Sequence, residues 1–245
     1  MVIDRDKFGQ EYFRTRARCP TTIFKGGGLS FLKYPFWDRH IRRCIRSGKL
    51  LDIGCAEGAL LKWGERRGYE TYGIDISEFA VKERSHQKLK QTKLLIADIR
   101  SLPFVDNYFD IITCFDVLEH LEHPIFGLRE IGRCLKERGI FIMSVPNIYS
   151  NGLKWKGNNW FGYRDTTHVS LLSGEEWTGL VEQCPLQIVD VFYDCLWDSP
   201  YFKKIPTLLQ HLLFKPSLLV LYWTPIRCSE KRGENLWIVA TKKRA

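Results

Sequence analysis

Four acidic residues follow short apolar runs of the sequence, each at or beside the point where a run ends. They are Asp52, Asp75, Asp98 and Asp116. Apolar runs of this length are typical of strands that are buried on both faces of a parallel sheet. Because ligands bind at the carboxyl edge of such a sheet, the four carboxylates are expected to line one site.

A glycine-containing turn follows the first of these runs. Residues 50–53 predict a strand, Gly54 and Gly58 bound the turn, and apolar residues at helical spacing come next. This order brings backbone N–H groups up to a nucleotide-like ligand. Asp75 stands 21 residues after Gly54. At that spacing a carboxylate accepts hydrogen bonds from ribose hydroxyls, so the ligand is predicted to carry a ribose.

Glu57 narrows the choice of ligand further. It lies within the turn that faces the ligand. A carboxylate there would repel a pyrophosphate and attract a positively charged ligand. A dinucleotide-dependent dehydrogenase is therefore disfavoured.

The rest of the chain alternates predicted strands and helices. Strands are predicted over residues 50–53, 69–74, 94–97, 109–115, 140–145, 186–194 and 235–241. Helices are predicted after the opening turn, from Ser77 to about Lys90, from Pro124 to Lys136, and from Ser173, with its capping-box partner Glu176, to about Cys184. Strands separated by such helices predict right-handed crossovers in an α/β fold with a mostly parallel sheet.

Three segments lie outside this alternation. Residues 1–48 predict a helical N-terminal extension rich in aromatic residues and arginine, which precedes a domain over residues 49–245. Residues 146–170, called here the lid segment, lack periodicity and are too long for a simple connection, so we expect a lid or substrate wall. Residues 196–230 predict an apolar, partly helical cap.

From residue 45 to residue 194 the sequence resembles the class I S-adenosylmethionine-dependent methyltransferases, in the group that includes the ubiquinone-biosynthesis O-methyltransferases. The matching segments are LLDIGCAEGALL (50–61), YGIDIS (72–77), ADIRSLPF (97–104), FDIITCFDVLEHLEHP (109–124), GIFIMSVPN (139–147) and DTTHVSLLSGEEW (165–177). The resemblance implies a Rossmann-like, seven-stranded sheet with helices on both faces. Its last strand is inserted antiparallel between the fifth and the sixth.

The resemblance also implies S-adenosylmethionine as cofactor and a set of residues that bind it. Position by position, these are Asp52, Gly54, Ala56 and Gly58 around the methionine moiety, Asp75 and Ile76 on the ribose, Asp98 and Ile99 on the adenine, and Phe115 beside the methionine end. The family usually has glycine where Ala56 stands. A methyl group at that position fits the turn if φ of Ala56 is negative.

The reaction implied is an in-line attack by a substrate oxygen, nitrogen or carbon on the sulfonium methyl, with oxygen favoured. Such a site needs alignment and a dry cavity, and a base where the nucleophile must lose a proton. The candidate bases are His120 and His168, with a structural hydrogen bond as the alternative role for each. The acceptor is expected to be a small molecule, and an anionic or lipid-like one would suit the basic ends and the apolar cap.

A second interpretation groups Asp116, Glu119, His120 and His168. Their D-x-x-E-H pattern and distal histidine resemble the metal-dependent RNA 3′-terminal 2′-O-methyltransferases of the small-RNA type. Two carboxylates and two imidazoles suit a divalent ion. Asp116 is one methylene shorter than the glutamate of that pattern, and the LEH segment is also widespread in methyltransferases that bind no metal. A non-catalytic, methyltransferase-like binding protein is disfavoured because the donor-site residues are all present.

Composition limits the remaining possibilities. The net charge is +9, with basic ends that flank an acidic centre. The eight cysteines include no C-x-x-C pair, which indicates a reducing compartment and no cysteine-built metal site. No signal peptide pattern opens the sequence, so a cytoplasmic location is expected. The apolar tract 205–226 is interrupted by polar residues, so we expect a cap or a dimer surface, with peripheral membrane contact as the alternative.

Overall fold

One seven-stranded sheet organises the part of the chain that this computed structural model describes, which is residues 8–12, 34–85, 89–194, 198, 200–202, 204–214 and 232–243. The strands are β1 (Lys49–Ile53), β2 (Glu70–Asp75), β3 (Lys93–Ile96), β4 (Phe109–Phe115), β5 (Leu135–Pro146), β6 (Leu186–Tyr193) and β7 (Asn235–Lys242). Their order is β3-β2-β1-β4-β5-β7-β6. Strands β1 to β5 pair in parallel, and β7 is antiparallel to both β5 and β6. The predicted Rossmann-like sheet and its inserted last strand are confirmed.

Helices cover both faces of this sheet. They are α1 (Tyr34–Trp37), α2 (Ala59–Arg67), α3 (Pro124–Cys134), α4 (Asn151–Lys156), α5 (Phe161–Arg164), α6 (Gly174–Glu182) and α7 (Thr207–Phe214). The described residues also include two π-helical segments, Asp38–Arg42 and Ala80–Ser85, and two short 3₁₀ turns, Leu118–His120 and Gly157–Asn159. Among the described residues, none of the helices has the length and apolarity needed to cross a membrane.

The apolar strands build one core on each face of the sheet. Leu51 and Ile53 of β1 join Phe141 of β5 in the core that includes residues of α3 and α6. Leu50 points the other way, into the core that includes residues of α1 and α2. Because alternate side chains of a strand point to opposite faces, burial on both faces requires the continuous apolar runs seen in the sequence.

Two predicted boundaries are wrong. Ser77 does cap a helix, since its Oγ accepts the N–H of Ala80 at 3.2 Å, but the helical segment is described as far as Ser85 and Lys90 is not helical. Strand β5 begins at Leu135, five residues before the predicted start. Leu135 is fully buried and pairs with Phe109 of β4, so tertiary packing starts the strand at a residue that was predicted to be helical.

The structure describes parts of the three segments that lie outside the alternation of strands and helices. The lid segment is helical over α4 and α5, and Ser150 caps α4 by accepting the N–H of Leu153 at 3.0 Å. The predicted capping box of α6, formed by Ser173 and Glu176, is present. Most of the aromatic N-terminal extension and residues 215–231 of the apolar cap lie outside the described residues. The five described cysteines are free thiols.

Candidate functional site

The turn after β1 is held tightly against the ends of β2 and β4. Gly54 and Gly58 both have φ of +70°, a left-handed conformation that favours glycine. The N–H of Gly54 donates to the carbonyl of Ile74 at 2.8 Å. A Cβ added at Gly54 would lie 2.2 Å from Val117, which directly precedes the Leu118–His120 turn. The turn and the segment that carries His120 are therefore in contact.

 Ala56 does not have the negative φ under which its methyl group was expected to fit this turn. Its φ is +43°. A left-handed conformation costs a residue with a Cβ about 1 kcal/mol, so the turn holds Ala56 against its intrinsic preference. The N–H of Ala56 donates to Asp75 Oδ2 at 3.0 Å, and this bond helps to hold the strained residue in place.

Asp75, at the end of β2, ties the donor-side loops together. Its Oδ2 accepts the N–H of Ala56, and its Oδ1 accepts the N–H of Ser77 at 2.9 Å. Each carboxylate oxygen can accept more than one hydrogen bond, so these bonds leave acceptor capacity for a ligand hydroxyl. Ile76, the next residue, is half-buried at the same edge.

Asp52 is buried one residue before the end of β1. Its Oδ1 accepts a hydrogen bond from Thr113 Oγ1 at 2.7 Å. Burial raises the pKa of Asp52 to about 7; the bond from Thr113 opposes this shift and the charge of Asp75 adds to it. A cation bound at this edge would favour the ionised form of Asp52.

The remaining predicted cofactor residues lie at the ends of β3 and β4. Asp98 forms an ion pair with Arg100 at 2.7 Å. The side chain of Ile99 is buried in the core, so only its backbone can face a ligand. Phe115 is half-buried, with its ring 5.1 Å from that of Trp237.

His120 is held by a chain of hydrogen bonds from the lid segment. Its Nδ1 lies 2.9 Å from Thr167 Oγ1 and 3.1 Å from the Thr167 carbonyl oxygen. The Thr167 hydroxyl donates to Asp165 Oδ1, so both Thr167 oxygens act as acceptors towards His120. Nδ1 therefore carries the proton of the neutral ring, and Nε2 carries the lone pair that a general base needs.

His168 lies beside His120, with the two ring centres 4.7 Å apart. Its Nδ1 is 2.7 Å from the carbonyl oxygen of Gly162, to which it must donate. Its Nε2 faces Asp165 Oδ2 at 3.6 Å and Glu119 Oε1 at 3.9 Å. Because the side chains of His168 and Glu119 are almost fully buried, this grouping favours an added proton or a bound cation between them.

The structure separates Asp116 from the other members of the predicted metal group. Glu119, His120 and His168 can each offer one ligand atom, and these atoms lie within 4.8 Å of one another. Asp116 has φ of +55°, and its Oδ1 accepts a hydrogen bond from Ser144 Oγ at 3.2 Å. In the part of the chain that is described, the candidate metal group thus has three members, not four.

Residues 8–12 link the loop after β2 to His120 and to the lid segment. Ser77 Oγ donates to the carbonyl oxygen of Phe8 at 2.6 Å, and the Phe8 ring lies edge-on to His120 with centres 5.4 Å apart. Tyr12 OH donates to Asp165 Oδ2 at 3.5 Å. Sequence reasoning assigned none of these contacts, although the DTTH motif placed Asp165 and Thr167 within a matching segment.

A buried polar network anchors the lid segment. Trp160 Nε1 donates to Glu234 Oε2 at 2.7 Å, and Tyr201 OH donates to Glu234 Oε1 at 2.6 Å. Burial raises the pKa of Glu234 to about 7, and these two bonds oppose the shift. Lys156 and Arg164 form ion pairs with the buried Asp198. The sequence carried no local signal for this network, since Trp160 and Glu234 are 74 residues apart.

Three of the described arginines that precede β1 lie away from this site. Arg42, Arg43 and Arg46 line a cavity of about 430 Å³ together with Asp38. They come just before the amino end of β1, whereas the donor turn follows its carboxyl end. Arg42, Arg43 and Arg46 are therefore at the opposite edge of the sheet from the predicted acceptor site.

A model of the methyltransferase domain family matches residues 11–191. An uncharacterized protein of Methanocaldococcus jannaschii is 31% identical over 70% of this chain and 69% of its own length. The ubiquinone biosynthesis O-methyltransferase of Alkalilimnicola ehrlichii is 32% identical over 44% of this chain and 47% of its own length. Another uncharacterized M. jannaschii protein is 40% identical over 40% of each chain. The chain thus spans less than half the length of some of the curated relatives that it matches.

Solved structures share the fold over most of the chain. A S-adenosylmethionine-dependent methyltransferase from Archaeoglobus fulgidus has 21% identity and a TM-score of 0.60, with 94% of this chain and 99% of that chain covered. One chain of a complex that contains the Haloferax volcanii Trm112 methyltransferase activator has 18% identity and a TM-score of 0.67, with 98% of both chains covered.

Proposed function

The chain belongs to the methyltransferase domain family and is an S-adenosylmethionine-dependent methyltransferase, and from this premise we propose that it methylates a small molecule at oxygen. The observation that carries the proposal is the hydrogen-bond chain from Asp165 through Thr167 to His120. It sets the tautomer that a base needs to take a proton from a hydroxyl. The contact between Gly54 and the His120 segment supports a base close to the donor turn.

The charges at the carboxyl edge of the sheet fit the cofactor. Asp52, Glu57 and Asp75 suit a ligand with a positive sulfonium, an amino group and ribose hydroxyls. In the proposed arrangement Asp75 accepts from the ribose while it also holds the turn. Asp98 and the backbone of Ile99 would receive the adenine.

When bound, S-adenosylmethionine supplies a methyl group on a sulfonium that becomes neutral as the methyl leaves. The protein then has to align the acceptor oxygen and exclude water. The rings of Phe8 and Tyr12 lie edge-on to His120, and His120 accepts the proton of the acceptor hydroxyl in this proposal. His168 and Glu119 are positioning residues that fix the neighbouring wall.

The names of the relatives bear on the acceptor. One is a ubiquinone biosynthesis O-methyltransferase, and another, from Staphylococcus aureus, is a demethylmenaquinone methyltransferase with 32% identity over 46% of this chain. We infer a hydroxylated aromatic acceptor, because a phenol is acidic enough for a histidine to deprotonate during the attack. A panel of phenols, amines and carbon acids, screened for transfer of a labelled methyl group, tests this choice.

Asp75→Ala tests the cofactor site. It removes the carboxylate from the ribose position and releases the N–H groups of Ala56 and Ser77, so the affinity for S-adenosylmethionine should fall about 100-fold or more. Calorimetry measures the change. Asp106→Ala, at a surface carboxylate that pairs with Arg133, is the matched control and should leave the affinity unchanged. Equal affinities of the wild type and Asp75→Ala for S-adenosylmethionine would contradict the predicted role of Asp75 in binding it.

His120→Gln tests the base. The turnover number should fall about 100-fold while the affinity for S-adenosylmethionine stays constant, since the change removes proton transfer and leaves the turn intact. His123→Gln alters an exposed histidine three residues away and should retain full turnover. Full activity of His120→Gln on a phenol would rule out its role as a base.

A second candidate function is favoured by the convergence of Glu119, His120 and His168. Three ligand atoms within 4.8 Å could hold a divalent ion, which would lower the pKa of a bound hydroxyl, as in methylation of an RNA terminus at the 2′ oxygen. A chelator should then abolish activity, Mg²⁺ or Mn²⁺ should restore it, and an RNA end should accept the methyl group. Activity that is indifferent to both treatments would exclude this alternative.

A further inference from the structure

Helix α7 presents an apolar surface to solvent. The exposed fractions of its leucines are 72% for Leu208, 47% for Leu209, 64% for Leu212 and 61% for Leu213. The spacing of these residues places them as neighbouring pairs on successive turns. A group of exposed leucines of this size is unusual on a monomer and marks an interaction surface.

Gln210 fixes the orientation of this helix. Its side chain is fully buried, and its Oε1 accepts the N–H groups of Tyr201 and Phe202 at 2.6 and 2.8 Å. Its Nε2 donates to the carbonyl oxygens of Phe202 and Ile205 at 2.6 and 2.7 Å. Because the buried amide anchors one side of α7, the leucines on its other side face outward as part of the fold.

The exposed leucines continue into a larger apolar surface. Ile205 and Phe202, which precede α7, are each 37% exposed. The ring of Phe202 lies 5.1 Å from that of Trp155 in the lid segment, and Trp155 is 37% exposed as well. Tryptophan beside aliphatic residues is a composition typical of surfaces that enter the headgroup region of a bilayer.

Charge decides between the partners that such a surface could have. Residues 199–229 contain no Asp or Glu, whereas they contain Lys203, Lys204, Lys215 and Arg227. Lys204 is exposed directly before α7. We propose that α7, with Phe202, Ile205 and Trp155, docks on the surface of a membrane that contains anionic lipids. The leucines would enter the acyl boundary while the lysines contact lipid phosphates.

Docking of α7 would also bring the lid segment to the bilayer. Lys156 and Arg164 of the lid segment form ion pairs with Asp198, nine residues before the start of α7 at Thr207. The lid segment in turn supplies Asp165, Thr167 and His168 to the histidine cluster. If the proposed function holds, the acceptor is therefore one that partitions into membranes.

Vesicle co-sedimentation of the full chain tests the docking surface. The wild type should bind phosphatidylcholine vesicles with about 30% phosphatidylglycerol, and should bind pure phosphatidylcholine less tightly. Leu208→Ser with Leu212→Ser should weaken binding about tenfold or more, because two apolar side chains no longer enter the bilayer. Val105→Ser changes a side chain that is 67% exposed elsewhere on the surface, and it should bind as the wild type does.

A second variant tests the electrostatic part and leaves the leucines unchanged. Lys203→Glu with Lys204→Glu should weaken binding to anionic vesicles and reduce its dependence on salt. Unchanged thermal unfolding and S-adenosylmethionine affinity of each variant separate loss of docking from misfolding and from failure of the proposed function. The proposal is overturned if the wild type does not bind anionic vesicles, or if the leucine variant binds them equally well. A wild-type dimer that the leucine variant dissociates, without vesicle binding, would assign the surface to a second copy of the chain.

Discussion

Two buried carboxylates, one on the donor side and one under the lid segment, respond to burial in the same way. The pKa of Asp52 and that of Glu234 are both raised to about 7. Their surroundings differ. Glu234 receives a hydrogen bond on each oxygen, from Trp160 and Tyr201, whereas Asp52 receives one from Thr113 and lies near the second carboxylate of Asp75. The raised pKa of Glu234 therefore belongs to a structural anchor. The raised pKa of Asp52 belongs to a concentration of negative charge that suits a cationic ligand.

Glu234→Ala should produce the largest effect on stability. It leaves the indole N–H of Trp160 and the hydroxyl of Tyr201 buried without their acceptor, and it opens a cavity next to Gly152. We expect the free energy of unfolding to fall by about 3–5 kcal/mol. Urea denaturation measures this loss.

Glu234→Gln is the matched variant, since it keeps the size of the side chain and one acceptor oxygen. It should cost about 1 kcal/mol. If both substitutions are equally mild, Glu234 does not anchor the lid segment and the contrast with Asp52 disappears.

Asp52→Asn should have the opposite effect on stability at high pH. The ordinary pKa of the group is 3.8 and its folded pKa is about 7, so between these values the native state holds a proton that the unfolded state has lost. The wild type therefore loses stability as pH rises through this window, and the loss is complete above pH 7. Asparagine does not titrate and removes this dependence. Relative to that of the wild type, the free energy of unfolding of the variant should therefore be about 2–4 kcal/mol higher above pH 7 than it is below the window.

Chemical denaturation across the pH range measures this gain, and calorimetry measures the affinity for S-adenosylmethionine. The affinity should fall, because the ionised carboxylate is the form that attracts a cation. Asp110→Asn, at a partly exposed carboxylate that pairs with Lys136, is the matched control for loss of a carboxylate outside the cofactor edge. If the stability of Asp52→Asn changes with pH in parallel with that of the wild type, the raised pKa of Asp52 is contradicted.

Thr113→Val sharpens the contrast with a smaller effect. It removes the hydrogen bond to Asp52 Oδ1 with little change of volume, which should raise the pKa of Asp52 further and cost about 1–2 kcal/mol at high pH. Below the window, where Asp52 is protonated, the cost should be smaller. Denaturation of the variant at both ends of the window measures the difference, and an equal cost at both ends would show that Thr113 does not act through the charge.

Ser150→Ala should give the smallest effect and confine it to the lid segment. The change removes the cap of α4, which contributes about 1 kcal/mol. Hydrogen exchange should show faster opening of Leu153 and its neighbours, while the affinity for S-adenosylmethionine stays unchanged. Faster exchange at the donor turn instead would show that the two regions are not independent.

The donor side could be predicted from the sequence because its determinants are local. Gly54, Gly58 and Asp75 follow strands whose apolar runs define their ends, and a parallel sheet brings such ends to one edge. The strain at Ala56 could not be predicted, because the turn and its bond to Asp75 override the preference of alanine. The predicted roles in cofactor binding and catalysis stay predictions until the variants are measured.

The acceptor side depends on contacts between distant parts of the chain. Thr167 reaches His120 across 47 residues, and Tyr12 reaches Asp165 across 153. No pattern of period 2 or 3.6 encodes such pairs. For this reason sequence reasoning identified both histidines but missed the groups that decide which ring nitrogen carries the proton. It also grouped Asp116 with the two histidines, although the Asp116 side chain bonds to Ser144.

The position of β7 has a consequence for folding during synthesis. Along the sequence it is the last of the described strands, yet it lies between β5 and β6 and pairs with both. Strand β6 cannot join the sheet, and Glu234 cannot anchor the lid segment, until the ribosome has made and released residues up to 242. The donor side, from β1 to β5, can form earlier. A nascent chain should therefore acquire a cofactor site before it acquires a closed acceptor side, and the unpaired edge of β5 is exposed in that interval.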